Sequence, residues 1–363
     1  MTRLLKGRVI ALFAFDIGFE VALDQLSKLP SSAPVQPLSP KKQTPTFLQY
    51  SKPPLVVNLG EARPIISEPG RAQVTVFDFG AASISYQWSF PEGPDALSFS
   101  DLQPLSRTLY DLNLEARAKK QIQEFLEENR SAIVRPELSP LVEDYYLFVV
   151  EEFEQPLSAS ELLSRHGPII AQMLRFETQP LSPEQQGEAL NQRLSYYEHD
   201  LVIVDWNAAL VYDRDFRDTV NVLELLNVEL LEARYTDEQL DRRISDYQRV
   251  SLKQRASLVP FLTPNRKAIQ ELAELRLESL VLAERVDNAL KLIGDLYLAR
   301  VHALAARRLY LQDWESSISR KLDIIASLYQ LLTDRVRTVQ SQTLELVIII
   351  LILVEILMGV FSR

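Results

Sequence analysis

The chain has 363 residues, 47% of them hydrophobic and 24% charged, with a formal net charge of −10. That length predicts two or three structural units with a sizeable core, and the acidic balance argues against non-specific nucleic-acid binding, which needs a dense positive face. There is no cysteine, which excludes disulfide frameworks, thiolate nucleophiles and Cys-ligated metals.

Arg3, Lys6 and Arg8 precede the apolar run Val9 to Phe15. The run is short, Asp16 follows it at once, and no small-residue cleavage site appears, so it reads as a strand and not as a signal peptide. Residues 30–54 hold Pro30, Pro34, Pro37, Pro40, Pro45, Pro53 and Pro54, a density that predicts an extended linker or loop.

Three segments echo one another: Phe15-Asp16-Ile17-Gly18, Phe77-Asp78-Phe79-Gly80 and Val204-Asp205-Trp206-Asn207. Each interrupts two apolar, β-rich runs. Aspartate bonds turn backbone, and Gly or Asn accepts the left-handed conformation of a bulged hairpin. Hairpins are therefore expected over 8–24, 72–90 and 200–213, with a further strand over 144–153. Helices are expected from Leu114 to Asn129, from Ser158 with Glu161 closing a capping box, and from Ser182-Pro183 through Leu194. A long one follows from Arg217 to Val250, broken near Thr236.

Thr263 as N-cap with Pro264 opens the next expected helix. After a polar break at Gln312, Asp313 and Trp314, a heptad seam runs through Ile318, Leu322, Ile325, Tyr329, Leu332, Val336, Val339, Thr343 and Leu346. The spacing suits an antiparallel helical hairpin that fills the seam within the chain. A homo-oligomeric bundle is the competing use of the same pattern.

The run Leu346 to Phe361 has sixteen residues, thirteen of them Leu, Ile, Val or Phe, and one charge, Glu355. It is expected to be a transmembrane helix anchoring the chain by its tail, with Arg335 and Arg337 placing the rest on the cytoplasmic or matrix-equivalent side. Glu355 beside Gly359, with Ile352 and Ile348 behind, gives a face able to pack on another membrane helix. A lone glutamate, protonated or drawn to the interface, is the plainer alternative.

His166, His199 and His302 stand far apart at no ligand spacing. No phosphate-cradling glycine loop, nucleophile elbow or HExxH is present. No catalytic residue, cofactor or metal site is assigned. Asp16, Asp78 and Asp205, with Trp206, read first as turn chemistry and second as a shared surface made by three hairpin turns.

Several segments resemble the required-for-meiotic-nuclear-division family. They are Trp314-Glu315, LDIIASLYQLLTDRV, and LELVIIILILVEILMGV with Glu345 and Glu355; LNQRLSYYE at 190–198, FAFDIGF and VFDFGAASISYQW are similar as well. The proline segment and residues 201–213 depart from that pattern, so the chain reads as a distant member. Members share a conserved membrane-anchored domain of unknown function, and one is a mitochondrial inner-membrane protein linked to organellar translation. The resemblance implies a membrane-tethered, non-catalytic factor and offers no catalytic residue to carry over.

The expected fold is α+β. It has N-terminal strands over 1–29, the proline segment over 30–54, a hairpin-rich head over 55–262, a helical-hairpin stalk over 263–343 and a transmembrane helix over 344–361. The expected function is a tail-anchored, non-catalytic scaffold whose head binds a protein or ribonucleoprotein partner, with homo-oligomerisation through the stalk also open. The alternative is a metal-dependent enzyme with a carboxylate-only site near the three aspartate turns.

Overall fold

Strand β1 (Leu4–Asp16) takes up the whole N-terminal apolar run, and every residue from Val9 to Phe15 is buried. Burial on both faces explains why the run reads as continuous apolar sequence and does not alternate. The computed structural model describes residues 2–28, 32–34, 53–66, 69–255 and 296–361.

The other strands are β2 (Glu20–Val21), β3 (Ser32–Pro34), β4 (Leu55–Ala62), β5 (Gly70–Val76), β6 (Ala81–Ser89), β7 (Ile133–Val134), β8 (Glu143–Phe153), β9 (Arg193–Leu194), β10 (Leu201–Val204) and β11 (Ala208–Tyr212). The helices are α1 (Leu23–Leu26), α2 (Leu102–Asp111), α3 (Leu114–Glu128), α4 (Ala159–Leu174), α5 (Pro183–Ala189), α6 (Arg217–Arg255), α7 (Leu296–Arg308) and α8 (Leu311–Phe361). Among the described residues, nine strands form one sheet in the order β3-β4-β5-β6-β1-β8-β11-β10-β9. Its neighbours are antiparallel except β8 and β11, which run parallel with Tyr146 opposite Ala208. Central β1 sets Leu12 against Ser85 of β6 and Ala11 against Tyr146 of β8.

Contacts divide the chain into two compact units, Met1–Tyr235 with Arg285–Asp313, and Thr236–Glu284 with Trp314–Arg363. In the first, one sheet face meets α2, α3 and α4 through Val9, Phe13, Ile84, Tyr86 and Phe148, with Phe13 edge-on to Tyr86 and Tyr146. Alternation along β6 sends Ser83 and Ser85 to the other face, where Glu224 of α6 lies beside Ser83 and Thr75. Helix α4 begins as its sequence dictates: the Ser158 side chain accepts from the Glu161 N–H while the Glu161 carboxylate accepts from the Ser158 N–H.

In the second unit, Leu240 and Ile325 are buried together with Ile244, Ile318, Leu322 and Leu328 around them. Lys321 reaches Asp237 at 2.7 Å and Asp241 at 2.6 Å. The first three positions of the heptad seam therefore pack on the C-terminal part of α6. The expected helix from Thr263 lies outside the described residues as far as residue 295, and its last part is α7; most of the proline segment lies outside them as well.

Several expectations are corrected. No hairpin forms over 8–24, because β1 runs straight to Asp16 and β2 pairs with β7, Val21 opposite Ile133. Helix α6 passes Thr236 unbroken. The break before the seam falls at Leu309 and Tyr310, where Tyr310 has φ +54°, while Gln312 to Trp314 already belong to α8.

The largest correction concerns the tail. Among the described residues no helix is long and apolar enough to cross a membrane. The apolar stretch Leu346 to Phe361 has sixteen residues and is interrupted by Glu355, against the roughly 20 that a spanning helix needs. A tail anchor, a single-pass location and the membrane as partner are therefore not supported. Ile348, Ile352 and Glu355 are exposed along α8, and among the described residues no membrane-spanning helix is there for them to pack on. The α+β expectation is replaced by a mixed α/β architecture with one large, mostly antiparallel sheet.

Candidate functional site

The echoed turns fall at one end of the sheet but do not form one surface. The first two meet back to back. The Ile17 N–H donates to the Gly80 carbonyl at 2.9 Å, and the Val21 N–H donates to the Asp78 carbonyl at 2.9 Å. Gly80, at φ +97°, approaches so closely that a Cβ there would lie 1.8 Å from the Gly18 oxygen. The third turn joins β10 and β11 and is closed by the Asp205 N–H donating to the Ala208 carbonyl at 2.9 Å. In the strand order it lies beyond β8 from β1. Among the described residues no three Asp, Glu or His side chains are grouped to hold a metal ion.

Asp16 does not present a turn surface either. Burial, with a smaller push from Glu137 and against a hydrogen bond from Gly18, raises its pKa to about 7. Glu232 of α6 is raised well above its ordinary value as well, by burial and by the Asp16 charge. The same helix buries Glu224, Asn227 and Glu229. Asn227 donates to the Glu143 carbonyl at 3.0 Å, Arg234 pairs with the Glu143 carboxylate, and His302 Nε2 lies 3.2 Å from Glu229 Oε2. This polar helix face is not apparent from periodicity, because glutamates at helical spacing read as a solvated side.

The histidines serve three separate places. His166 Nε2 meets the Thr2 hydroxyl at 2.8 Å, His199 Nδ1 meets the Leu157 carbonyl at 3.1 Å, and His302 meets Glu229.

Asp205 is the focus of a cleft with concentrated polar chemistry, about 480 Å³ in volume. Its carboxylate is buried between two arginines. Oδ2 accepts from Arg175 Nε at 3.0 Å, and Oδ1 accepts from Arg308 Nε at 2.8 Å and also from Arg308 Nη2. The Tyr145 hydroxyl donates to the Asp205 carbonyl at 3.0 Å. Burial, then the Asp205 charge, pushes that phenol well above its ordinary pKa, so it stays a donor.

Two helix ends deliver the arginines. Arg175 follows α4 directly and Arg308 is the last residue of α7, the end where a cation complements the helix dipole. Each is followed within two residues by an aromatic side chain on left-handed backbone, Phe176 at φ +57° and Tyr310 at φ +54°. Such residues cost on the order of 1 kcal/mol each, and both line the cleft. Phe176 is buried against Tyr110 and Tyr146. Tyr310 instead remains 50% exposed and meets Trp206, itself 47% exposed, with ring centroids 5.7 Å apart.

Glu188 of α5 closes the network from the solvent side. Its Oε2 lies 3.3 Å from Arg175 Nη2, and its Oε1 lies 3.4 Å from both terminal nitrogens of Arg308. Gln185 accepts from Arg175 and donates to Glu188 at 3.3 Å. The hydrogen bond and charge of Arg175, then the charge of Arg308, hold the Glu188 carboxyl below the usual range.

Fold and site together define a mixed α/β domain with a charge-balanced arginine–carboxylate cleft rimmed by aromatics. The chain matches the family described as "Uncharacterized protein MJ0711, N-terminal domain" over residues 6–219, and it belongs to that family. It is similar to the uncharacterized protein MJ0711 of Methanocaldococcus jannaschii, at 23% identity over 239 residues, 65% of this chain and 72% of that protein. No solved structure matches it.

Of the residues predicted as a turn surface, the structure keeps Asp205 and Trp206 at the cleft and takes Asp16 and Asp78 elsewhere. Arg175, Arg308, Glu188 and Tyr310 are missed by sequence reasoning. Nothing local marks them, since they come from three helix ends far apart in the chain.

Proposed function

We propose that this chain is a non-catalytic adaptor whose α/β unit binds a protein or ribonucleoprotein partner through the Trp206–Tyr310 cleft. The observation that carries the reading is the exposed aromatic pair held against a buried Arg175–Asp205–Arg308 network. Trp, Tyr and Arg dominate binding hot spots, where large rigid side chains flank desolvated charge. Asp205 already satisfies two guanidiniums, which suits a supporting role better than acid–base chemistry or metal ligation. The resemblance to the required-for-meiotic-nuclear-division family, whose members are read as non-catalytic factors, supports the same function and makes distant membership of that family part of the proposal.

A photo-crosslinking amino acid in place of Tyr310, in the full chain inside cells, tests this. The reading expects one discrete adduct from position 310 and none from Leu5, an exposed residue near the start of β1. Equal adducts from both positions, or none from 310, would remove it. So would turnover of a nucleotide or phosphoester by the purified chain that Asp205→Ala abolishes.

A further inference from the structure

The geometry points to a carboxylate-binding subsite across Arg175 and Arg308, held in the free protein by the chain's own Glu188. This rests on the docking reading above and deepens it by naming the group recognised: a carboxylate of a protein partner that carries an aromatic or apolar neighbour.

The two carboxylates on the arginines are not equivalent. Asp205 is buried, and its contacts to the two Nε atoms are 3.0 and 2.8 Å. Glu188 is half exposed, and its three contacts run from 3.3 to 3.4 Å. Asp205 therefore fixes the position and tilt of both guanidinium groups from below. Glu188 spans their outer nitrogens with one oxygen on each arginine, and it does so loosely. Nothing buried depends on Glu188, because Asp205 remains paired when it swings away.

An incoming carboxylate can take the same place. It finds two guanidiniums already oriented, so little side-chain freedom is lost on binding. Arginine is the residue suited to such planar pairing. The exposed ring faces of Trp206 and Tyr310 stand at the same cleft and give an adjoining apolar or aromatic group its contact. The selected group is a carboxylate because the group occupying the subsite is one. Arginine forks pair with phosphate as well as with carboxylate, so it is the carboxylate already seated on both arginines that favours a protein partner over a nucleic acid.

Glu188 then acts as an internal competitor. If it occupies the subsite about nine-tenths of the time, its removal raises the apparent affinity for a carboxylate about tenfold. Calorimetry on the full chain, wild type and Glu188→Ala, tests this with three small peptides. One is acetylated and amidated with glutamate beside phenylalanine. The second carries glutamine instead. The third has its C-terminus as its single carboxylate.

The expected result is about tenfold tighter binding of a carboxylate peptide by Glu188→Ala, with no gain for the glutamine peptide. Whichever carboxylate peptide gains more tells whether an acidic side chain or a chain terminus is recognised. Equal binding by the two proteins, or an equal gain for the glutamine peptide, overturns the subsite. If that happens while the crosslink from position 310 persists, the carboxylate assignment falls alone. If the crosslink is absent too, the docking reading falls with it.

Discussion

Gly80 faces the Gly18 carbonyl so closely that a β-carbon on Gly80 would sit 1.8 Å from its oxygen. The neighbour is backbone, which cannot rotate away, and Gly80 at φ +97° also occupies a region that L side chains rarely adopt. Gly60 has a similar φ of +94° but nothing within 4 Å of the same position. Gly60→Ala is expected to cost about 1 kcal/mol from conformation alone. Gly80→Ala should cost more than about 2 kcal/mol, since conformational strain and overpacking add. Urea unfolding of the two variants checks this, and equal midpoints would mean the two turns do not meet.

Asp205 is buried between Arg175 and Arg308, so Asp205→Ala leaves two partly buried guanidiniums with Glu188 and Gln185 beside them. Breaking a buried pair costs about 3–5 kcal/mol, and the low end is expected because Glu188 stays. Glu188→Ala removes a half-exposed partner and should cost no more than about 1 kcal/mol. Thermal denaturation separates them. If Asp205→Ala melts with Glu188→Ala, the network does not hold the cleft.

The buried carboxyls under α6 set a pH dependence. In the folded chain Asp16 and Glu143 are raised to about 7 and Glu224 to about 6, chiefly by burial, while Glu232 is raised well above its ordinary value. Unfolded carboxyls titrate near 4. The folded state thus holds these protons more tightly, and their contribution is full below about pH 4 and is lost as pH rises through about 7. Stability should therefore decline between pH 5 and pH 8. The double variant Asp16→Asn with Glu232→Gln, which removes both charges of the facing pair, should decline less. Matching slopes for the variant and the wild type would show that the pair is not buried as described.

Much of the architecture was legible because its signals are local. Ser158 and Glu161 announce the start of α4, and the Asp205 turn announces the β10–β11 hairpin. Other features depend on tertiary contacts that no window of sequence contains. The first echo, Phe15 to Gly18, has the turn chemistry of a hairpin, yet the chain continues to β2, whose partner β7 lies more than a hundred residues on. Glu224 and Glu232 are buried, and nothing local in the sequence says that a sheet lies over them. The apolar tail reads as a membrane span by composition, while its run falls short of a bilayer core and carries Glu355. The cleft was half legible: Trp206 stands out in its turn, but Arg175 and Arg308 become neighbours only through folding.

Trp206 is exposed at its hairpin turn, so Trp206→Ala should change the melting temperature little, within about 0.5 kcal/mol of stability. The most direct test of the docking cleft therefore places the photo-crosslinker at position 310 in wild-type and Trp206→Ala backgrounds and compares adduct yields in cells. The account predicts at least about a tenfold loss of adduct in Trp206→Ala, with folding unchanged. Equal yields in the two backgrounds would contradict it.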